Sequence, residues 1–470
     1  MSPTRRQFLK WGGVGLGALA GVGVAGRAVL IPPSPSAELA STQDLAIRLF
    51  EMLGEDERAE GVFDYEHPLR QYHNRGVDTG GGWAFFLPRE TRQVLVDLVH
   101  SALSGGGRQR LPNQFFLNWP GVHVTRLAML GDPRRPPYQV LVTGPHLNLR
   151  IGGRSREGVA FGGPQVYGDQ RGNGKLGLPG NAYRGQLELG QQLFARLSTA
   201  ERKLARRAKA PVQVAIELQG RRGVFDGIAV ADLARDKREA ARELVASILD
   251  TYAPGDVAYA WQCIDHNGGV DALHLADYAE DHEGGRNFGD GPSQIFRLEG
   301  PAAVFHYRGE PHLHALFNVA MDGEQPLSVG EVVGENPSAR DRDGVKALFE
   351  HILLSETGAD LAYYHAASVA GRLRAGTIRT GDLYNLESWR ERVSLVEVKG
   401  SDLSAGLVAA LQARGDALQS RNTYRIATTS YVAEKLAGEW LGAVSSESTG
   451  AMLRDVAIAH LQAHGFPPPA

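Results

Sequence analysis

The histidines of the stretch RGEPHLHALFNVA are the residues whose spacing points most directly to chemistry. His312 and His314 lie two apart, after Pro311 and before an apolar run, and alternate side chains of a strand share a face. The run AAVFHYR before them also reads as a strand, with Gly309-Glu310-Pro311 as a tight turn between the two. Pairing Arg308 with His312 sets His306 opposite His314 and puts three imidazoles on one face of one hairpin. His146, just past the β-rich run YQVLVTG, is the fourth candidate ligand. Such a set suits a divalent transition metal (zinc, copper or iron) and leaves a coordination place for water or substrate. A water held there loses its proton near neutral pH and becomes a nucleophile. Glu310, Asp265 and Asp281 are the carboxylates available as base or as partners of the ligands. The competing reading is structural, because strand histidines also pair with carboxylates or face water.

Other chemistries find less support. The Gly-rich segment 162–185 contains GNGK, but Leu176 follows, so it lacks the phosphate-cradling G-x-x-x-x-G-K-[ST] pattern. No G-x-S-x-G elbow for a serine nucleophile occurs. His266 and His282 fall in acidic, Gly-rich stretches that read as solvated loops. Cys263, within the apolar, strand-like VAYAWQCI, reads as a buried thiol. It is the only cysteine, so no intrachain disulfide forms.

The elements that must position these residues alternate irregularly. Ser41 and Asp44 make a capping-box-like start for a helix with a stripe at Leu45, Leu49, Phe50 and Leu53. Helices are expected over 89–103 and 236–252, and Ser198 with Glu201 forms a full capping box before another. Strands are expected at YQVLVTG, VQVAIEL, VAYAWQCI and the histidine hairpin. From Leu327 the order becomes strand, helix (343–356), strand ADLAYY, strand VSLVEV, helix (402–413), strand YRIATT and helix (449–463). Without strict βαβ alternation the fold class is α+β, with a boundary near Gly323–Gln325.

At 470 residues and 43% hydrophobic residues the chain can build large cores, and a net charge of −3 with no basic stripe argues against nucleic acid as a partner. The N-terminal TRRQFLKWGG, with Arg5 and Arg6 ahead of a weak Gly-rich apolar run, resembles a twin-arginine (Tat) export signal. That resemblance implies the Tat translocase as a transient partner and a periplasmic or extracellular location. The run is too short and Gly-rich for a good membrane span, so no stable membrane insertion is expected after cleavage. Residues 1–28 are assigned to this signal and 29–44 to a linker.

Four stretches, TGPHLNLRI, FGGPQVYG, YAWQC followed by FRLEGP, and HLHALFNV, resemble the bacterial family catalogued as domain of unknown function number 3500. The resemblance covers 45–322 and implies no established reaction. GTIRTGDLYN, LVEVKGSDL and YRIATTSYVAEKLAG resemble the C-terminal domain of bacterial 5′-nucleotidases, over 327–470. In that family this smaller α/β domain holds the base and part of the phosphate, while a separate metallophosphatase domain hydrolyses. The motifs of the latter are absent here. The resemblance places the family's binding asparagine on His365, its binding arginine on Ala370, and its base-stacking aromatic on Trp389. Arg372 and Arg374 stand near to supply the lost charge.

These readings converge on an exported, metal-dependent hydrolase of a small nucleotide-like or phosphorylated substrate. The alternative is a non-catalytic periplasmic binding protein with a degenerate nucleotide-binding domain.

Overall fold

The computed structural model describes residues 41–72, 82–117, 125–144, 146–152, 158–169, 181–280, 294–309, 313–324, 327–413, 415, 417–435 and 445–468. The twin-arginine stretch, Asp281, His282, Glu310, Pro311 and His312 lie outside these residues, as do residues 170–180 of the Gly-rich segment 162–185.

One large sheet organises everything up to Val319. Its strands are β1 (Val62–Phe63), β2 (Gly82–Trp83), β3 (Arg126–Leu130), β4 (Gln139–Gly144), β5 (Leu147–Ile151), β6 (Gln165–Asp169), β7 (Arg206–Lys209), β8 (Ile228–Ala229), β9 (His274–Glu280), β10 (Ile295–Gly300), β11 (Ala303–Arg308) and β12 (Leu313–Val319). The spatial order is β1-β3-β4-β5-β6-β12-β11-β10-β9-β7, with β2 beside β3 and β8 beside β9. Most neighbours are antiparallel, while β1–β3 and β7–β9 are parallel.

Strand alternation divides two faces. Leu313, Ala315, Phe317 and Val319 of β12 enter the main core, together with Phe305 and Tyr307 of β11. Amphipathic helices cover that face. Thr42–Met52 buries Leu45, Ala46, Leu49 and Phe50, and Arg235–Leu249 buries Ala240, Ala241, Leu244, Val245, Ile248 and Leu249, both at helical spacing. The Ser41 side chain accepts from Asp44 N at 3.1 Å, and Ser198 and Glu201 complete the expected capping box.

The opposite face carries Val166, Val304 and Leu316 in a smaller apolar cluster with Val212, Val214, Ile216 and Leu218. The stretch VQVAIEL, expected as a strand, is irregular. It turns through Ala215 N to Val212 O (2.8 Å) and Ile216 N to Val214 O (3.0 Å) and lays its apolar side chains on the sheet instead of joining an edge. VAYAWQCI is also not a strand. It lies in the helix Pro254–His266, which opens on a proline and buries Ala260, Cys263 and Ile264 at helical spacing.

Beyond Leu327 the strands form separate, smaller sheets. One pairs β13 (Val332–Asn336) with β15 (Gly376–Arg379); the other has the order β14 (Leu361–Ala362), β17 (Thr423–Thr429), β16 (Arg392–Lys399), β18 (Ser445–Met452). The helix Arg342–Thr357, capped by Asp341 (Gly344 N to Oδ1, 2.9 Å), and the helix Leu453–His464 pack into their core. The fold is α+β, and all described residues belong to one compact unit. Among the described residues no helix is long and apolar enough to cross a membrane.

The segment after Pro68–Arg70 joins the two regions. Gln71 donates Nε2–H to Asp382 Oδ1 (2.8 Å), its Oε1 accepts from Val329 N (3.0 Å), and its carbonyl accepts from Asn385 Nδ2 (3.2 Å). Tyr72 donates its hydroxyl to the carbonyl of Ser388. From the sheet, buried Arg150 holds this segment by donating to the carbonyls of Tyr72 and, at 3.4 Å, Arg70. Burial, with the nearby charge of Arg70, pushes the Arg150 guanidinium down to about 9.

Candidate functional site

The histidine hairpin forms in a different register from the expected one. Arg308 faces His314, and His306 faces Leu316. His314 thus pairs two places away from the expected register, and a guanidinium stands where an imidazole was expected. His306, Arg308 and His314 still share one sheet face, the one covered by the segment 211–219, and all three are buried.

Side-chain contacts follow from that register. Arg308 Nη2 lies 2.7 Å from His314 Nδ1, and Gln213 Oε1 lies 2.7 Å from the same nitrogen. Arginine offers only donors, while the amide oxygen only accepts, so the two contend for the ring's lone pair or its proton. Either way Nδ1 is engaged within the protein. His146 follows β4 and sets its ring centroid 5.0 Å from that of His314. Gly168, opposite His314 on β6, makes room for both. A Cβ there would meet His146 Cδ2 and His314 Cδ2 at 3.0 Å and the Leu313 carbonyl at 2.4 Å. Gly163 of the same FGGPQVYG motif, at φ 134, similarly clears Arg150 Nε, which a Cβ would meet at 3.0 Å. Among the described residues, His146, His306 and His314 do not bring their ring nitrogens into one metal-sized group.

Arg372 and Arg374 fall elsewhere, on the wall of a cleft of about 900 Å³. Its other walls include Glu217, Gln219 and Arg222 from beneath the large sheet, the first turn of the helix Arg342–Thr357, and Asp382. Arg372 donates Nη1–H to Gln219 Oε1 (2.8 Å) and its backbone N–H to Glu217 Oε1 (3.3 Å). Arg374 is tied to Ser328 Oγ (3.1 Å) and Asp382 Oδ2 (3.5 Å). Burial raises the Glu217 carboxyl above the ordinary glutamate value, against the opposing pull of Arg297 and Arg372. Ala370 is buried in the small apolar cluster and lines the cleft.

Trp389 and His365 lie outside that lining. Trp389 is 37% exposed on the turn 387–391, which two acids fasten. Glu387 Oε1 accepts from Glu391 N (3.1 Å), and Glu391 Oε2 accepts from Ser430 Oγ and Tyr431 N, both at 2.7 Å. Burial pushes Glu387 up to about 8. His365 packs edge-on against Tyr431, ring centroids 5.9 Å apart, and burial followed by the charge of Lys346 lowers its pKa. The expected four-residue substrate set is thus divided, with two arginines in the cleft and two rings beyond it. Glu217 and Arg222 escape a reading of the sequence because their stretch has the pattern of a strand and its loop. The run QGRRGVFDG, two arginines between glycines, is the available signal.

No family model matches the chain, and no curated protein matches it. Among solved structures it is similar to a 5′-nucleotidase precursor from Thermus thermophilus, at 11% identity and a TM-score of 0.27 over 42% of this chain and 52% of that one. It is similar to the NAD nucleotidase of Haemophilus influenzae at 11% identity and a TM-score of 0.25, over 41% of this chain and 55% of that one. A putative 5′-nucleotidase from Staphylococcus aureus, solved with alpha-ketoglutarate, matches at 10% identity and a TM-score of 0.22, over 42% and 55%. The chain spans about half the length of these structures, and likeness at such scores adds nothing to what the cleft's own geometry says of its chemistry.

Proposed function

We propose that this chain is an exported hydrolase that holds a small anionic, nucleotide-like or phosphorylated substrate in the cleft between Glu217–Arg222 and Arg372–Arg374. One observation carries the reading. Among the described residues the guanidinia of Arg222 and Arg372 line one cleft with no carboxylate ion pair, beside the first turn of a 16-residue helix. Guanidinium forks favour a phosphate or carboxylate. Glu217, its carboxyl raised by burial, is the group in the cleft suited to move a proton to or from a leaving oxygen. The cations would stabilise charge as it develops on the substrate.

Calorimetric titration of the whole chain with adenosine, AMP and inorganic phosphate tests the binding half. AMP binds tighter than adenosine, and Arg222→Ala and Arg372→Ala each cost AMP about 1.5–3 kcal/mol while leaving adenosine unchanged. Equal binding of all variants overturns the reading. Glu217→Gln retains binding and abolishes phosphate release. Export is tested by replacing Arg5 and Arg6 with lysine, which keeps the precursor in the cytoplasm.

A further inference from the structure

On the far side of the C-terminal region, the helices Arg342–Thr357 and Leu453–His464 bring together residues that no part of the cleft uses. His460 and His464 stand four apart on one helix, so they share a face. Their ring centroids are 4.8 Å apart. Glu356, near the end of the other helix, puts Oε1 2.6 Å from His460 Nδ1. One ligand atom from each of the three lies within 4.8 Å of the others, the only such group among the described residues.

We infer that Glu356, His460 and His464 form a binding site for a divalent transition metal of the zinc type. Two imidazoles and one carboxylate are a zinc ligand set, with a fourth place for water. A tetrahedral ion with bonds of about 2.0–2.1 Å sets its ligand atoms about 3.3 Å apart. The observed group approaches that spacing within the reach of side-chain rotation, because Glu356 and His464 are exposed and only His460 is fixed by burial. A histidine–glutamate ion pair explains the 2.6 Å contact. His464, one helical turn on, brings its ring to the same point. A cation shared among all three accounts for both contacts. His351 lies edge-on to His460, with 5.8 Å between ring centroids. The site faces solvent on its Glu356 and His464 side, so metal exchanges without opening the fold.

The test is a titration of the full chain, free of any polyhistidine tag and stripped with EDTA, using Co²⁺ followed by displacement with Zn²⁺. One Co²⁺ per chain binds, giving visible ligand-field bands of the intensity of four- or five-fold coordination, and Zn²⁺ removes them. His464→Gln and Glu356→Gln, changes at exposed positions that leave circular dichroism intact, each weaken Co²⁺ binding by on the order of 100-fold or more. His314→Gln leaves it unchanged. Absence of saturable Co²⁺ binding overturns the site. So does unaltered affinity in the His460→Gln/His464→Gln double variant, or loss of binding in His314→Gln alone.

Discussion

Arg308 and His314 meet across the β11–β12 hairpin with Nη2 2.7 Å from Nδ1, on the sheet face that the segment 211–219 covers. A buried donor and acceptor depend on each other more than either contributes alone, because the survivor of a truncation loses its partner without regaining water. Arg308→Met is expected to cost about 1–3 kcal/mol of unfolding free energy in urea. His314→Leu in the same background recovers part of that loss, giving a coupling of about 0.5–3 kcal/mol in the double-mutant cycle. Strictly additive losses would count against the contact.

Gly168 sets the approach of two imidazoles. Gly168→Ala places a methyl 2.4 Å from the Leu313 carbonyl and 3.0 Å from the rings of His146 and His314. Thermal unfolding should show a loss of about 1–3 kcal/mol, typical of overpacking. In imidazole NMR spectra the His146 and His314 resonances move while those of His460 stay in place.

Glu387 gives the stability curve a distinct pH dependence. Its folded value of about 8 lies above the ordinary 4.5, so the stability linked to its neutral form is complete below pH 4.5 and is lost as pH rises to about 8. The slope in that window reaches up to about 1.4 kcal/mol per pH unit. Glu387→Gln removes it and is the more stable protein above pH 8. Urea melts of both proteins from pH 5 to 9 check this, and parallel curves would contradict it.

Cys263 should be silent toward thiol reagents in the native chain. It is fully buried in the helix Pro254–His266, and burial pushes its thiol up to about 11, which leaves almost no thiolate at pH 8. Ellman's reagent is expected to label one thiol per chain in urea and none within minutes in buffer. Rapid native labelling would place that helix outside the stable core.

Elements with a complete local signal were legible in the sequence. The capped helices beginning at Thr42 and Thr199 carry their start residues within one turn, and the first adds a stripe at Leu45, Leu49 and Phe50. The apolar runs around residues 212 and 260 misled because strand and helix patterns overlap in short buried segments. Only the spacing of Ala260, Cys263 and Ile264, and the Pro before Val212, separated them. The hairpin's facing residues were partly legible. Alternation put His306 and His314 on one face, but register depends on turn length, and a shift by two preserves the face while changing every partner. Of the cleft, Arg372 and Arg374 were singled out but their facing wall was not, because Glu217 and Arg372 are far apart in sequence and meet only when the second region folds against the first.

The hydrogen bonds of Gln71 and Tyr72 have a consequence for how the chain is made. The large sheet is complete once Val319 has emerged, yet both Gln71 side-chain bonds and the Tyr72 hydroxyl bond run to Val329, Asp382 and Ser388, and Asn385 reaches the Gln71 carbonyl. During synthesis the first region therefore carries an unfinished surface at its oldest end, and the last region to appear closes it. A nascent chain halted before residue 380 should be cut by protease near residue 71, and one extended past residue 390 should not.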